Sequence, residues 1–199
     1  MNEERVIVPF YYANYNKQNY TAELQQQADR GGYVLTQKVV AIHLGNDGSG
    51  LGLGLRRLRA DEHGEGESWS TVGELVRPTE PAVSVLRRAL YCDYGQKGDI
   101  DIQYLVSIVG NGRGINHIGD YQPKTYVHWY VLRTDGDVDL DSRRISEFCW
   151  LHSCEDVRKK LATMPVFERK SFLFAISCFG KLQGDVWMEG QQLLSPLIT

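Results

Sequence analysis

The sequence has no apolar run near the roughly 20 residues that a membrane-spanning helix requires. Its start, MNEERVIVPF, lacks the basic region and the small-residue cleavage site of a secretory signal peptide. Four cysteines in 199 residues, with no CxxC pair, argue against a disulfide framework. These absences predict a cytoplasmic protein with reduced thiols and no membrane partner.

The chain also lacks an excess of positive charge, since its formal net charge is −3 and its pI is near 6.0. A phosphate backbone attracts proteins through basic surfaces, so no nucleic-acid polymer is expected as a partner. With 42% hydrophobic residues, a chain of this length can bury the core of one sizeable domain. We expect a single domain over residues 33–199 and an N-terminal extension, residues 1–32, packed on or beside it.

The hydrophobic pattern divides the chain into an irregular opening, an α/β body and a helical end. Two strands joined by the turn sequence GNDGSG form a hairpin, and a short helix is expected over Tyr20–Asp29. The predicted strands are Tyr33–Leu44, Leu51–Leu58, Asp101–Val109 and Tyr126–Arg133, and the predicted later helices are Ser153–Met164 and Val166–Leu182. The segment EFCWLHSCEDV between them reads as an aromatic and acidic turn.

Two arrangements of metal-ligand residue types lack the spacing that a site needs. The alternating aspartates of the segment TDGDVDLDSRRIS have leucine where a calcium loop needs glycine, and serine where it needs the bidentate glutamate. Cys149, His152 and Cys154 are irregularly spaced and have no evident fourth zinc ligand. We therefore expect neither a calcium nor a zinc site from these residues.

The stretch VGELVRPTEPAVSVLRRALYCDYG, residues 72–95, carries the most specific pattern in the chain. It begins as a strand, passes through a proline-containing loop and continues as a helix with apolar residues at helical spacing. Thr79 is a candidate cap for the helix, and Gly95 is its natural end. Seven residues separate Glu80 from Arg88, and Leu90, Asp93 and Gly95 follow at fixed spacing.

This spacing resembles the Nudix box, G-x5-E-x7-R-E-U-x-E-E-x-G-U, where U is aliphatic. The match departs from the pattern at several positions, because Gly73 is displaced by one residue and Gln96 replaces the last aliphatic residue. The resemblance covers residues 33 to 182. It implies an α/β (α+β) fold, namely a Nudix-like α/β/α sandwich with a mixed β-sheet between helices.

In the Nudix family, glutamates on the box helix hold Mg²⁺ or Mn²⁺ ions, which neutralise a diphosphate and activate water. The three acidic positions correspond here to Ala89, Cys92 and Asp93, so one carboxylate of three is present. The resemblance assigns a residual catalytic and metal-binding role to Asp93, with Glu74 as a second metal-ligand candidate. Further carboxylates could complete the site, and the candidates are Glu62, Glu65, Glu67 and Glu147.

The family's first glutamate and its arginine form an ion pair that fixes the loop against the helix. Glu80 and Arg88 match these positions, so the resemblance predicts a bracing ion pair. The structural positions of the box are thus kept better than the catalytic ones, which favours a fold whose hydrolytic site is degenerate.

Basic and aromatic residues outside the box are candidates for binding a nucleotide-like small molecule by charge and stacking. The candidates are Arg56, Arg57, Arg59, Trp69 and Arg113. Three functions are open: binding of a nucleoside-diphosphate-linked ligand such as ADP-ribose with weak or absent hydrolysis, metal-dependent pyrophosphohydrolysis, and protein interaction on a Nudix scaffold. The sequence also leaves a homodimer open.

Overall fold

The computed structural model describes residues 33–46, 48, 50–58, 66–76, 80–96, 100–110, 122–134, 138–141, 143–180, 182 and 185–197, with the backbone alone for 33–37, 58, 109–110, 122–126, 167 and 185–187. The N-terminal extension and its predicted helix lie outside these residues. The strands are β1 Tyr33–Gly45, β2 Leu51–Leu58, β3 Gly66–Ser70, β4 Val72–Leu75, β5 Ile100–Gly110, β6 Gln122–Thr134 and β7 Ile145–Leu151. The helices are α1 Ala82–Tyr94, α2 Cys154–Ala162, α3 Val166–Phe179 and α4 Asp185–Leu194, and a short 3₁₀ helix follows over Ser195–Leu197.

The strands form one mixed sheet in the order β3-β2-β1-β6-β5. Strands β1 and β6 are parallel, whereas the other pairs are antiparallel. Strand β4 also pairs with β1, and β7 pairs with β2. The four strands expected from the hydrophobic pattern and the mixed sheet are confirmed.

Alternation along β1 divides the interior into two cores. Val40, Ile42 and Leu44 face a core that helices α2, α3 and α4 cover, whereas Val39 and Ala41 face a core that α1 covers. Successive side chains of a strand point to opposite faces, so a strand buried on both faces separates two layers of helix. The expected α/β/α sandwich is confirmed.

Helix α1 owes its boundaries to backbone conformation more than to side-chain caps. Its N-cap is Pro81, which makes no side-chain cap hydrogen bond, and the predicted cap Thr79 lies outside the described residues. Gly95 ends the helix as predicted, with φ of 62°, and the Gln96 amide donates to the Leu90 carbonyl at 3.2 Å. Glycine adopts this left-handed conformation without the steric cost of a Cβ.

Three elements differ from the sequence prediction. Strand β3, Gly66–Ser70, is not among the predicted strands. The predicted turn EFCWLHSCEDV is wrong over its first half, because Ile145–Leu151 forms strand β7 against β2. Helix α2 then begins after Ser153, whose hydroxyl accepts a hydrogen bond from the Asp156 amide. Helix α4 was not predicted at all. No helix among the described residues is long and apolar enough to cross a membrane.

Candidate functional site

The loop before α1 is tied to the helix by a bidentate ion pair. Arg88 donates from Nε to Glu80 Oε1 at 2.9 Å and from Nη2 to Glu80 Oε2 at 3.0 Å. Arg88 Nη2 also donates to the Leu75 carbonyl at 3.1 Å, which links the helix to the end of β4. The hydrogen bonds from Arg88 to Glu80 raise the pKa of the guanidinium, although partial burial opposes this. The ion pair that the resemblance implies is therefore present.

The three family metal positions on α1 differ in chemistry and in exposure. Ala89 is buried in the core and has no ligand atom, and Cys92 is an exposed free thiol. Asp93 is the one carboxylate, and it is buried with 6% exposure. The helix therefore offers a single hard oxygen ligand group at these positions.

That carboxylate is held by an arginine that the sequence did not single out. Arg144 Nη1 donates to Asp93 Oδ1 at 2.7 Å, and Arg144 Nη2 donates to Glu74 Oε2 at 2.5 Å. The guanidinium thus bridges the two residues that the resemblance offers as metal ligands. Its side chain is 32% exposed, against 12% for Glu74 and 8% for Asp93, so the carboxylates lie deeper than their shared cation.

The chain reaches this position because residues 138–141 lie against the carboxyl end of α1. The Asp139 amide donates to the Tyr94 carbonyl at 2.9 Å, and the Asp141 amide donates to the Asp93 carbonyl at 3.1 Å. These bonds satisfy carbonyls that a helix end leaves without an intrahelical partner. The Arg144 amide then donates to the Asp141 carbonyl at 2.9 Å, forming a turn that returns the chain toward Asp93.

Strand β2 fixes the other side of Arg144, since the Arg57 amide donates to the Arg144 carbonyl at 3.0 Å. The backbone on which this arginine is mounted is therefore hydrogen-bonded to both its own turn and the sheet. Its guanidinium is presented to Asp93 and Glu74 from an anchored position.

The two carboxylates respond differently to this common partner. Burial opposes ionisation of Glu74, but hydrogen bonds from the Leu75 amide and from Arg144 lower the pKa of its carboxyl below the ordinary value. Burial raises the pKa of the Asp93 carboxyl, and the Arg144 charge offsets only part of that effect. The pKa of Arg144 is raised, because its bonds to the two carboxylates outweigh its desolvation.

These residues do not fit a magnesium or manganese ion. Arg144 takes one oxygen of Asp93 and one of Glu74, and the second Glu74 oxygen accepts from the Leu75 amide at 3.0 Å. Magnesium binds octahedrally to six oxygen ligands, most of which come from carboxylates, phosphates and water. In the described part of the chain, no three His, Cys, Asp or Glu side chains are grouped to hold a metal ion.

The predicted ligand-binding residues fall into separate places. Arg56 lies within electrostatic range of Glu74 and Asp93, and also of Glu168 on α3. Arg57 instead points to Glu67, with 3.7 Å between Nε and Oε1. Trp69 is buried in the opposite core, and Lys160 Nζ lies 3.6 Å from its ring centroid. Arg59 and Arg113 lie outside the described residues.

The carboxylates considered as additional metal ligands are also dispersed. Glu67 is exposed and pairs with Arg57 on strand β2, and Glu147 is exposed on β7. Glu62 and Glu65 lie outside the described residues. Neither described residue approaches Asp93 in a group that could hold a metal.

An aromatic cluster that the sequence pattern missed lies on the same side of the sheet as α1. His43 is fully buried and contacts the rings of Tyr94, Phe148 and Trp150, with centroid distances of 6.4, 5.9 and 4.9 Å. Burial lowers the pKa of His43 to about 3, so the ring is neutral at pH 7, and its Nε2 is 2.7 Å from Thr134 Oγ1. Phe148 and Trp150 are half-buried and border this cluster.

The glycines of β2 make room for these rings. A Cβ on Gly54 would lie 2.6 Å from the Tyr94 hydroxyl, and one on Gly52 would lie 2.9 Å from His43 Nδ1. The alternation of leucine and glycine in LGLGL therefore packs leucines into one core and admits aromatic side chains to the other face.

No protein-family model matches the chain, and no curated protein sequence matches it. Among solved structures, the E. coli dihydroneopterin triphosphate pyrophosphohydrolase is similar with a TM-score of 0.52 and 14% identity, over 72% of this chain and 99% of that one. The MutT protein from Methanosarcina mazei gives 0.51 and 19% identity, over 72% and 94% of the two chains. A bifunctional NMN adenylyltransferase/ADP ribose pyrophosphatase from Francisella tularensis gives 0.50 and 12%, over 83% and 46%. With the mixed sheet, the helix position and the Glu80 to Arg88 ion pair, these similarities show that the chain has the fold of the Nudix hydrolases.

Proposed function

We propose that the protein binds a nucleoside-diphosphate-linked ligand, such as ADP-ribose or a related nucleotide, beside α1, and that it hydrolyses this ligand weakly or not at all. The observation that carries the proposal is the double ion pair of Arg144 with Glu74 and Asp93. Metal-assisted phosphoryl chemistry needs carboxylate oxygens that are free to coordinate cations. Here one oxygen of each carboxylate accepts a hydrogen bond from Arg144 instead.

The same surroundings support recognition of an anion. Arg56 makes no ion pair among the described residues and lies within electrostatic range of Glu74 and Asp93. A half-exposed guanidinium binds phosphate oxygens through directed, charge-assisted hydrogen bonds. We assign the diphosphate to Arg56 and to the exposed edge of Arg144.

Strand β7 supplies an apolar surface for the rest of the ligand. Phe148 lies four residues beyond Arg144, which is at most about 13 Å at the rise of an extended strand, because Arg144 lies in the turn before β7. A nucleoside diphosphate can span that distance, so its base would stack on Phe148 or Trp150. Stacking on an aromatic ring tolerates different bases, so in this site the two arginines would recognise the diphosphate and the ring would accept any base.

The test combines turnover with thermal stability. The purified protein is incubated with Mg²⁺ or Mn²⁺ and a panel of ADP-ribose, NAD, nucleotide sugars, nucleoside triphosphates and dinucleoside polyphosphates, and products are separated by chromatography. A ligand at a hundred times its dissociation constant stabilises the fold by about 2.7 kcal/mol, which a melting curve resolves. We expect a melting shift without cleavage.

Two neighbouring arginines give a matched pair of variants. Arg56→Ala removes the cation beside α1 and should reduce the melting shift, whereas Arg57→Ala removes one that points to Glu67 and should leave the shift unchanged. Cleavage that disappears in Asp93→Ala would instead establish a pyrophosphohydrolase. A folded protein that no ligand of the panel stabilises would favour a protein-interaction module.

A further inference from the structure

The Nudix fold ordinarily neutralises its helix carboxylates with divalent cations, and this chain needs an alternative. Asp93 and Glu74 are both largely buried and both within hydrogen-bond distance of one guanidinium. Two carboxylates this close to each other repel unless a cation lies between them. A positive charge at this point therefore allows both carboxylates to stay ionised in the folded protein.

Arg144 meets that requirement in its geometry as well as its charge. Its two terminal nitrogens each donate to a different carboxylate, at 2.7 Å for Asp93 and 2.5 Å for Glu74. The planar guanidinium has a fixed fork of donors, so one arginine can join two carboxylates as a bridging cation does. Its backbone amide and carbonyl are hydrogen-bonded to Asp141 and Arg57, which holds the cation in place.

The same contacts leave little room for a competing ion. Three of the four carboxylate oxygens, both of Glu74 and Oδ1 of Asp93, accept the hydrogen bonds described above from Leu75 and Arg144. Asp93 Oδ2 takes part in none of these three bonds. Ala89 and Cys92, at the two remaining family positions, add no oxygen ligand. A divalent cation would have to displace an anchored arginine and would gain at most two carboxylate groups.

We infer that the Arg144 guanidinium is a built-in substitute for the divalent cation: it bridges Glu74 and Asp93, offsets one of their two negative charges, and excludes Mg²⁺ and Mn²⁺ from this site. Arg56, which acts electrostatically on both carboxylates, adds a second positive charge, so the site needs no metal to balance its charge. Removal of the arginine should expose a latent metal site made of the same two carboxylates.

The experiment measures Mn²⁺ binding by electron paramagnetic resonance, in which free Mn²⁺ gives the signal, and melting temperature in the absence and presence of Mn²⁺ at matched ionic strength. Wild type should bind no Mn²⁺ at this site, and its melting temperature should not respond. Arg144→Ala should melt about 5–10 °C lower, because it leaves two buried carboxylates without their cation. Mn²⁺ at ten times its dissociation constant should then recover about 3–5 °C.

Three further variants isolate the cause. Adding Asp93→Asn to Arg144→Ala should abolish the Mn²⁺ response, because only one carboxylate remains. Arg144→Lys should keep Mn²⁺ out, because it keeps the positive charge. Arg143→Ala is the matched control, since Arg143 is 87% exposed and pairs with Asp141, and it should behave as wild type. If Arg144→Ala does not fold, Arg144→Gln provides the uncharged variant of similar length.

Two results would overturn the inference. One is a wild-type protein that binds Mn²⁺ and loses it in Asp93→Asn. The other is a folded Arg144→Ala or Arg144→Gln protein that binds no Mn²⁺ and melts with the Arg143→Ala control. No nucleotide is added, so these outcomes are independent of whether the proposed ligand binds.

Discussion

Replacing Arg88 with alanine removes three hydrogen bonds that tie α1 to the loop and strand before it. Two of them reach Glu80, and the third reaches the carbonyl of Leu75. The Glu80 carboxylate, which is 15% exposed, loses its bidentate partner in this variant. We expect a loss of stability, because this ion pair no longer offsets the free energy of desolvating that carboxylate.

The degree of burial sets the magnitude. Exposed ion pairs contribute about 0–1 kcal/mol, whereas breaking a fully buried pair costs about 3–5 kcal/mol. Arg88 and Glu80 are 19% and 15% exposed and form a bidentate contact, which lies between these limits. We expect Arg88→Ala to reduce the free energy of unfolding by about 2 kcal/mol and the melting temperature by about 4–8 °C.

A double-mutant cycle with Glu80→Gln separates the ion pair from the other contacts of each residue. Urea unfolding of wild type, both single variants and the double variant should give a coupling energy of about 1–1.5 kcal/mol. Arg87→Ala is the matched control, because Arg87 is the adjacent arginine and is exposed, and it should change stability by less than about 0.5 kcal/mol. A coupling energy near zero would refute the view that this pair braces the helix.

Two further predictions concern a buried histidine and the end of α1. The pKa of His43 is lowered by burial from 6.5 to about 3, so the folded protein keeps this ring neutral where the unfolded chain takes up a proton. The free energy of unfolding is therefore not reduced by His43 above pH 6.5, but it falls as the pH decreases from 6.5 toward 3. At pH 5 the reduction is about 2 kcal/mol. His43→Gln should remove about this much of the pH dependence of stability measured by urea unfolding. An unchanged pH dependence would contradict the assignment. Gly95→Ala should cost more than about 2 kcal/mol, because φ is 62° and a Cβ would collide with the Asp139 carbonyl oxygen; a melting temperature equal to wild type would show that the helix end is not constrained.

Local sequence patterns predicted the parts of the fold that depend on local preferences. The alternation in β1 and the helical spacing in α1 are properties of short segments, and both elements are observed. Strand β7 was missed because polar and apolar residues do not alternate regularly in its sequence, ISEFCWL. The burial of these residues in the structure does not alternate either. Helix α4 was missed in part because it contains Gly190. Glycine is less favourable than alanine in a helix by about 1 kcal/mol, so its presence argues against a helix in the sequence. The close packing of α4 against β1 explains why glycine occupies this position, since a Cβ on Gly190 would lie 2.5 Å from Leu44 Cδ1.

The candidate site was predictable only where its residues share a motif. The Glu80 to Arg88 pair spans eight positions, so a box pattern can contain both partners. Arg144 lies 51 positions from Asp93 and 70 from Glu74, and nothing in the sequence DSRRI distinguishes it from its exposed neighbour Arg143. Its partnership depends on the segment that folds back along the carboxyl end of α1. Such a contact arises from tertiary structure and has no local signature.

The contrast between the two arginine sites explains how the fold persists with an altered box. Arg88 stabilises the path from β4 to α1 through contacts within the protein, so its contribution does not depend on a metal. Asp93 and Glu74 have the opposite property, because without a cation their burial and proximity would destabilise the same region. Arg144 supplies that cation from a turn whose backbone is already anchored to α1 and β2. The structural and electrostatic demands of the box are then both met inside the chain, so the proposed binding of a diphosphate does not depend on the ions that hydrolysis would require.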